Sequence, residues 1–200
     1  MNEVAGSGGA RPVSDSTEDD HELIRRVAGG DRSAFRTLFE AYQQSVFRYL
    51  VRLMRDEAVA RELTNDVMIE VWKGAARFEG RAKVRTWIFG IAHNKGVDVL
   101  RKRRELPWDE KAAETLVDDG PSPQESTEQG DLRRLILGLL DRLSPEHRAV
   151  VQLTYYEGLS VREIAATVDC PEATVKTRMF YARKQLKTLL AEAGVAGVEV

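Results

Sequence analysis

The sequence predicts an all-α protein of two small helical domains joined by a flexible acidic linker, with a helix-turn-helix in the C-terminal domain. Three observations support this fold class. Apolar residues recur at steps of three and four over residues 21–104 and again over residues 131–194, as in helices buried on one face. Residues 105–130 interrupt that spacing. No convincing alternation of polar and apolar residues indicates a strand, and 200 residues suffice for two domains with modest cores.

The N-terminal part of the chain predicts a tail followed by helices. Residues 1–20 are rich in Gly, Ser, Asp and Glu, so they predict a disordered acidic tail. The helices of the first domain are predicted from three apolar series: Phe35, Leu38, Tyr42, Val46, Leu50 and Leu53; Val59, Leu63, Val67 and Val71; and Val84, Trp87, Ile88 and Ile91.

The predicted linker, residues 105–130, contains three prolines, and residues 105–131 have nine acids against one lysine, a net charge of −8. Such a segment is extended and repels itself. The second domain, residues 131–194, follows it, and residues 195–200 form a short tail. Ser144 as N-cap and Pro145 at the first helical position predict a helix start in this domain.

A helix-turn-helix is predicted after Leu159. Ser160 and Glu163 have the spacing of a capping box, which starts the first helix. Pro171 opens the second helix, which is the one expected in the major groove of DNA. The inward face of that helix is predicted to hold Val175, Met179 or Phe180, Ala182, Leu186 and Leu189. A solvated basic helix in an unrelated bundle is the alternative.

The charge is distributed in blocks that a net charge of −2 conceals. Residues 81–104 carry eight basic residues and one acid, a net charge of +7, and residues 171–187 carry +4. Two basic segments separated by an acidic spacer can each bind phosphate. The three histidines have no metal-ligand spacing, and neither a Gly-rich phosphate loop nor a nucleophile–base pair is found. We therefore expect no metal, no cofactor and no enzymatic activity.

The cellular location is also predicted from composition. A single cysteine, Cys170, excludes an internal disulfide and indicates a reducing compartment. It is predicted to be a buried or idle thiol, with a redox sensor as the alternative. No stretch approaches the ~18 apolar residues of a membrane span, and the N-terminus does not resemble a signal peptide. We expect a cytoplasmic protein with no membrane insertion.

Two stretches resemble a known family. Residues 157–190, with Ala-Thr-Val-Lys-Thr-Arg at 173–178, resemble the C-terminal domain of sigma-70 family transcription factors, in particular the compact extracytoplasmic-function (ECF) group. Response-regulator activators carry a similar helix-turn-helix. Residues 31–39, 62–72, 84–94 and 97–104 resemble the family's first domain. The resemblance implies sigma region 2 at residues 21–104 and sigma region 4 at residues 131–194.

The resemblance also implies three sets of functional residues. The set expected to bind the clamp helices of the largest RNA polymerase subunit is Glu62, Asn65, Asp66 and Glu70. The set expected to bind the promoter −10 element is Phe78, Gly80, Arg81, Lys83, Arg85, Asn94, Arg101, Arg103 and Arg104. The set expected to bind the −35 element is Thr174, Lys176, Thr177, Arg178, Phe180, Tyr181, Arg183 and Lys184.

The physics of DNA opening favours the second set independently. A protein that melts a duplex must hold the displaced strand by its phosphates and trap unstacked bases on apolar surfaces. The +7 segment supplies cations, and Phe78 is an aromatic candidate for the trap. Core packing is an alternative for Phe78 and the favoured interpretation for Trp87, Ile88 and Ile91. Asn65 and Asp66 also fit an ordinary solvated face.

The expected function is therefore that of a sigma factor, which binds core RNA polymerase, recognises the −35 and −10 elements and promotes DNA melting. Its expected partners are the polymerase clamp helices and flap, promoter DNA and an anti-sigma factor. The alternative is a two-domain helix-turn-helix activator that binds DNA, as a dimer, without being a polymerase subunit. A third, weaker interpretation is an interaction protein whose basic segments bind acidic proteins.

Overall fold

A computed structural model describes residues 17–105 and 128–194. Within them every regular element is a helix, so the all-α prediction is confirmed for this part of the chain. The helices are α1 (Thr17–Ala28), α2 (Arg32–Met54), α3 (Glu57–Gly74), a 3-10 turn (Ala75–Arg77), α4 (Val84–Glu105), α5 (Glu128–Asp141), α6 (Pro145–Tyr155), α7 (Val161–Thr167) and α8 (Glu172–Glu192). None of the described helices is long and apolar enough to span a bilayer.

Side-chain caps fix several of the helix starts. The Asp31 carboxylate accepts hydrogen bonds from the first amides of α2, and Asp56 does the same for α3. Ser144 caps α6 and Pro145 occupies its first turn, as predicted. The predicted capping box is present at α7, where the side chains of Ser160 and Glu163 each bond the other's main-chain amide.

In the N-terminal domain, α2 and α4 pack closely. The core contains Leu50 and Leu53 of α2 together with Ile88 and Phe89 of α4, all 2% exposed or less. A Cβ atom added at Gly96 of α4 would lie 2.6 Å from Leu53 Cδ2, so only a glycine lets the two helices approach this far.

The prediction that residues 1–20 form a tail is wrong at the C-terminal end of that segment. Residues 17–20 belong to α1, which buries Ile24 and Val27 against the N-terminal domain. Asp20 is 8% exposed and accepts a hydrogen bond from the Tyr42 hydroxyl of α2. Composition predicts a disordered tail here because the sequence does not show that Asp20 has a buried partner. Residues 1–16 and 195–200 lie outside the described residues.

The predicted linker is shorter than residues 105–130. α4 continues to Glu105 and α5 begins at Glu128, so the helices extend into both ends of that segment. The remainder of it, residues 106–127, lies outside the described residues.

The two domains share one apolar core. A cluster of buried side chains runs from Ile88 and Ala92 in the N-terminal domain to Leu153, Ile164 and Val175 in the C-terminal domain. A second cluster lies within the C-terminal domain, between α5, α6 and α8; it comprises Leu139, Leu140, Leu143, Val151, Ala182, Leu186, Leu189 and Leu190. The prediction of two tethered domains did not include this contact between them.

Candidate nucleic-acid and partner interfaces

The outer face of α3 presents one polar patch. Glu62, Asn65 and Asp66 are exposed and lie on one side of the helix, because residues three and four apart are neighbours. Ile69 continues this face with 49% of its surface exposed. Glu70 is half-buried at the edge of this patch, and its Oε1 lies 3.6 Å from Arg77 Nη2. Sequence analysis missed Ile69, although it lies one position after Met68 and therefore off the buried face.

The loop between the 3-10 turn and α4 carries an aromatic group. The ring of Phe78 packs between those of His21 and Trp87, at centroid distances of 5.5 and 5.1 Å. Gly80 is exposed with φ of 70°, in the left-handed region that favours glycine. Arg81 is exposed and pairs with Glu79. Sequence analysis did not single out His21, because nothing in the sequence shows that α1 brings this ring against Phe78.

Two cavities flank this loop. One, of about 390 Å³, has Trp87 and Ile91 in its wall and exposed Asn94 among its lining residues, and Ala166 of α7 also lines it. The other, of about 710 Å³, lies between α1 and the loop and includes His21. Trp87 and Ile91 thus pack against the core and also line a cavity, whereas Ile88 is fully buried. An apolar wall with amide and basic groups nearby suits an unstacked base.

The basic residues of the predicted −10 set have different surroundings. At the start of α4, Lys83 Nζ lies 3.0 Å from Glu163 Oε1, and Arg85 Nη2 donates to Glu157 Oε2 at 2.7 Å. Both carboxylates belong to the C-terminal domain.

Arg101 and Arg103 of that set lie towards the end of α4, on its exposed surface. Arg101 donates to Asp98 at 3.0 Å, and Arg103 donates to Asp56 at 2.9 Å. Both pairs are intradomain contacts between partly exposed side chains, so solvent and phosphate can compete for the cations. The side chain of Arg104 lies outside the described residues.

The helix-turn-helix is present as α7 and α8. Met179, not Phe180, takes the inward position that the sequence left open, since Met179 packs against both apolar clusters. Phe180 is 64% exposed and packs edge-on against Tyr181, itself 52% exposed. The exposed residues of the predicted −35 set are Lys176, Thr177, Phe180, Tyr181, Arg183 and Lys184.

Several residues of the −35 set make contacts within the chain. Thr174 is half-buried, Thr177 Oγ1 donates to the Ala173 carbonyl at 2.9 Å, and Arg178 Nη1 lies 3.8 Å from the Cys170 sulfur. Arg183 donates two hydrogen bonds to the Tyr155 hydroxyl, at 2.7 and 3.1 Å. The predicted basic face of α8 is therefore partly free and partly engaged.

A buried histidine lies near the contact between the domains. His93 of α4 is 8% exposed, and its Nδ1 lies 2.8 Å from the Tyr49 hydroxyl. Burial, and then the cation of Arg178, lower the pKa of His93 to about 4. Sequence analysis did not predict that His93 is buried.

Comparisons with known proteins agree with this architecture. The family description "Sigma-70 region 2" matches residues 38–105, and "Sigma-70, region 4" matches residues 133–186. The ECF RNA polymerase sigma factor SigL of Mycobacterium tuberculosis is 32% identical over 173 residues, which cover 86% of this chain and 97% of that protein. SigK of Mycolicibacterium vanbaalenii is 30% identical over 177 residues, with coverages of 87% and 89%.

Solved structures show the same fold. CnrH, solved in complex with the cytosolic domain of CnrY, aligns with a TM-score of 0.65 at 22% identity over 86% of this chain and 97% of that one. RpoE, solved with the anti-sigma factor NepR from Bartonella quintana, aligns with a TM-score of 0.63 at 24% identity over 78% and 96%. From its two matched regions and its relatives, the chain belongs to the sigma-70 family, in the ECF group of RNA polymerase sigma factors.

Proposed function

We propose that this chain binds core RNA polymerase, recognises promoter −35 and −10 elements and promotes DNA melting for transcription initiation. One observation carries the proposal. The cavity of about 390 Å³ beside Phe78 has an aromatic wall and lies next to the basic start of α4. Melting needs such a surface, because an unstacked base must be held while the phosphates of its strand are neutralised.

Polymerase binding is assigned to the outer face of α3. Glu62, Asn65 and Asp66 offer carboxylate and amide groups, and exposed Ile69 adds apolar area beside them. An apolar residue surrounded by polar groups is the usual arrangement of a binding surface on a helix. The clamp helices of the largest polymerase subunit are the proposed partner.

Binding of the −35 element is assigned to the exposed face of α8. Lys176 and Lys184 can neutralise phosphates, while Thr177 and Tyr181 can contact base edges or sugars in the major groove. Residues that engage other parts of this chain, such as Arg178, must change partner to reach DNA.

Further partners are proposed from the relatives. CnrH and RpoE were solved with CnrY and with the anti-sigma factor NepR, respectively. We propose that an anti-sigma protein controls this chain as well, and that the polymerase flap contacts the C-terminal domain. The chain itself would act in the cytoplasm through binding, with the polymerase supplying all catalysis.

Run-off transcription with core RNA polymerase tests the proposal. We expect specific transcripts from genomic promoter fragments when the wild-type chain is added. Asn65→Ala with Asp66→Ala should abolish them while leaving the fold intact, because both side chains are exposed. Glu40→Ala, at an exposed position on α2, is the matched control and should transcribe like the wild type. If core polymerase stays inactive and the chain alone binds DNA as a dimer, the activator alternative is correct.

A further inference from the structure

One basic residue of α8 is held by a residue outside the predicted DNA-binding sets. Arg183 donates two hydrogen bonds to the Tyr155 hydroxyl, from Nη2 at 2.7 Å and from Nε at 3.1 Å. We propose that Tyr155 is a positioning residue for −35 recognition: its hydroxyl fixes the Arg183 guanidinium in the orientation in which it binds DNA. The inference rests on the proposed function of α8, and it adds a residue of α6 that acts through another side chain.

The first argument is that the chain fixes the main chain around Tyr155. Tyr155 is the last residue of α6 and lies between two anchored positions. Leu153 is fully buried, and Leu159, which is 6% exposed, donates a main-chain hydrogen bond to the Leu153 carbonyl at 2.9 Å. Gly158, with φ of 62°, makes the turn between them possible. The phenol is therefore presented to α8 from a rigid support, although the residue is 53% exposed.

The second argument is the geometry of the guanidinium. A guanidinium donates hydrogen bonds from two edges that lie in one plane. Tyr155 accepts from the Nε–Nη2 edge, and the Nη1 group of Arg183 has no acceptor among the residues that the structure describes. The free edge can bind a DNA phosphate or a guanine. Arg183 can therefore keep its partner when it binds DNA, in contrast to the change of partner required of Arg178.

The third argument is the place of Arg183 on α8. Lys176 and Phe180 are exposed, and they lie on the same side of the helix as Arg183, since residues three, four and seven apart share a face. Both belong to the set expected to bind the −35 element. A guanidinium fixed at Arg183 is therefore on the side of α8 that is proposed to meet DNA.

The exposure of the pair argues against a purely structural contact. Helices α6 and α8 are already joined by Val151, Ala182 and Leu186, which are buried in one cluster. Tyr155 and Arg183 are both exposed, and water can replace a hydrogen bond between exposed groups, so this one adds little to the free energy of unfolding.

The pair instead orders a flexible side chain. A free arginine loses side-chain entropy when it binds a partner, and that loss weakens binding. Arg183 has already lost part of this freedom, because two of its donors are engaged and its Cζ lies 5.7 Å from the centre of the Tyr155 ring. Removal of the Tyr155 hydroxyl should therefore weaken DNA binding through Arg183 alone.

The test is a double-mutant cycle on holoenzyme formed from core RNA polymerase and the full chain. The probe is a fluorescein-labelled duplex that spans the −35 region of a promoter active in run-off transcription, and fluorescence anisotropy gives its Kd. We expect Tyr155→Phe, which removes only the hydroxyl, to raise Kd about five-fold, as expected for the ordering of one long side chain. Arg183→Ala should raise Kd about 20-fold, because the contact with DNA is lost. Addition of Tyr155→Phe to Arg183→Ala should have no further effect.

Tyr156→Phe is the matched control. Tyr156 is the neighbouring exposed tyrosine, and the substitution keeps the ring, whose centre lies 4.0 Å from the Arg52 guanidinium carbon. This variant should bind the duplex like the wild type. Urea denaturation should give the same free energy of unfolding for Tyr155→Phe as for the wild type, whereas a loss of stability that accounts for the weaker binding would make the contact structural and overturn the inference.

The DNA-binding results can overturn the inference in three ways. Equal Kd values for Tyr155→Phe and Tyr156→Phe would show that the hydroxyl positions nothing. A five-fold effect of Tyr155→Phe that persists in Arg183→Ala would show that the hydroxyl contacts DNA itself. A Kd unchanged by Arg183→Ala would show that the guanidinium does not bind the duplex. In all three cases the wild type still gives run-off transcripts; if it gives none, the proposed function fails and the inference fails with it.

Discussion

Arg148, in the first turn of α6, donates a 2.8 Å hydrogen bond to the main-chain carbonyl of Arg52, near the end of α2. The same guanidinium donates to the carbonyls of Leu140, Asp141 and Leu143 at 2.8–3.1 Å. One buried cation thus satisfies carbonyls at the ends of two helices from different domains. Helix ends leave such carbonyls without partners, and a cation there also interacts favourably with the helix dipole.

Substitution of Arg148 should therefore destabilise the protein strongly. We expect Arg148→Met, which keeps an unbranched side chain but removes the guanidinium, to lower the free energy of unfolding by about 3 kcal/mol, because buried carbonyls lose their donor. Urea denaturation followed by circular dichroism measures the effect. Arg142→Met is the matched control: Arg142 is 58% exposed and pairs with Glu192, so its loss should cost less than about 1 kcal/mol. Equal effects of the two substitutions would contradict the role given to Arg148.

Two glycine substitutions should change the free energy of unfolding in opposite directions. Gly96→Ala places a methyl group 2.6 Å from Leu53 Cδ2 in a closely packed core, so it should lower the free energy of unfolding by about 1–3 kcal/mol. Gly138→Ala on α5 meets nothing within 4 Å and should raise it by about 0.5–1 kcal/mol, because alanine favours the helix. Urea denaturation of both variants checks the prediction. If Gly96→Ala stabilises the protein, α2 and α4 are further apart than the 2.6 Å approach to Leu53 Cδ2 implies.

Local features of this fold could be predicted from sequence, and contacts between distant segments could not. The capping box of Ser160 and Glu163 and the inward face of α8 depend on spacing alone, and both are present. The pairing of Arg85 with Glu157 joins residues 72 positions apart. No periodicity encodes such a contact, so the packing of the two domains against each other was not expected.

The same limit applies to the candidate interfaces. The family resemblance indicated polar and basic residues on α3, α4 and α8, and most of them are exposed. It did not indicate Ile69 or His21, whose significance depends on which side of a helix faces solvent and on where α1 packs.

The buried histidine predicts a pH dependence of stability. The pKa of His93 is lowered to about 4 in the folded chain, while an unfolded histidine titrates near 6.5. Between these values the unfolded state binds more protons, so the contribution of His93 is complete above about pH 6.5 and is lost as the pH falls towards 4.

The prediction is tested with His93→Gln. Lowering the pH from 7.5 to 5 should reduce the free energy of unfolding of the wild type by about 2 kcal/mol more than that of His93→Gln, because the variant lacks the titrating group. Urea denaturation at the two pH values gives both differences. If the wild type and the variant lose the same amount, His93 does not titrate with a lowered pKa.

The last prediction concerns His21, whose ring packs on Phe78 at 5.5 Å beside Gly80. His21→Ala should leave Phe78 with fewer conformational constraints and weaken capture of the unstacked base, whereas His21→Phe should preserve it because an aromatic ring still packs there. Permanganate reactivity of −10 thymines in the complex with core polymerase reports melting; we expect a decrease of about three- to ten-fold for His21→Ala, equivalent to the roughly 0.5–1.5 kcal/mol of an aromatic pair. Glu22→Ala, at the neighbouring exposed position on α1, is the control. Unchanged melting by His21→Ala would restrict the role of α1 to stability.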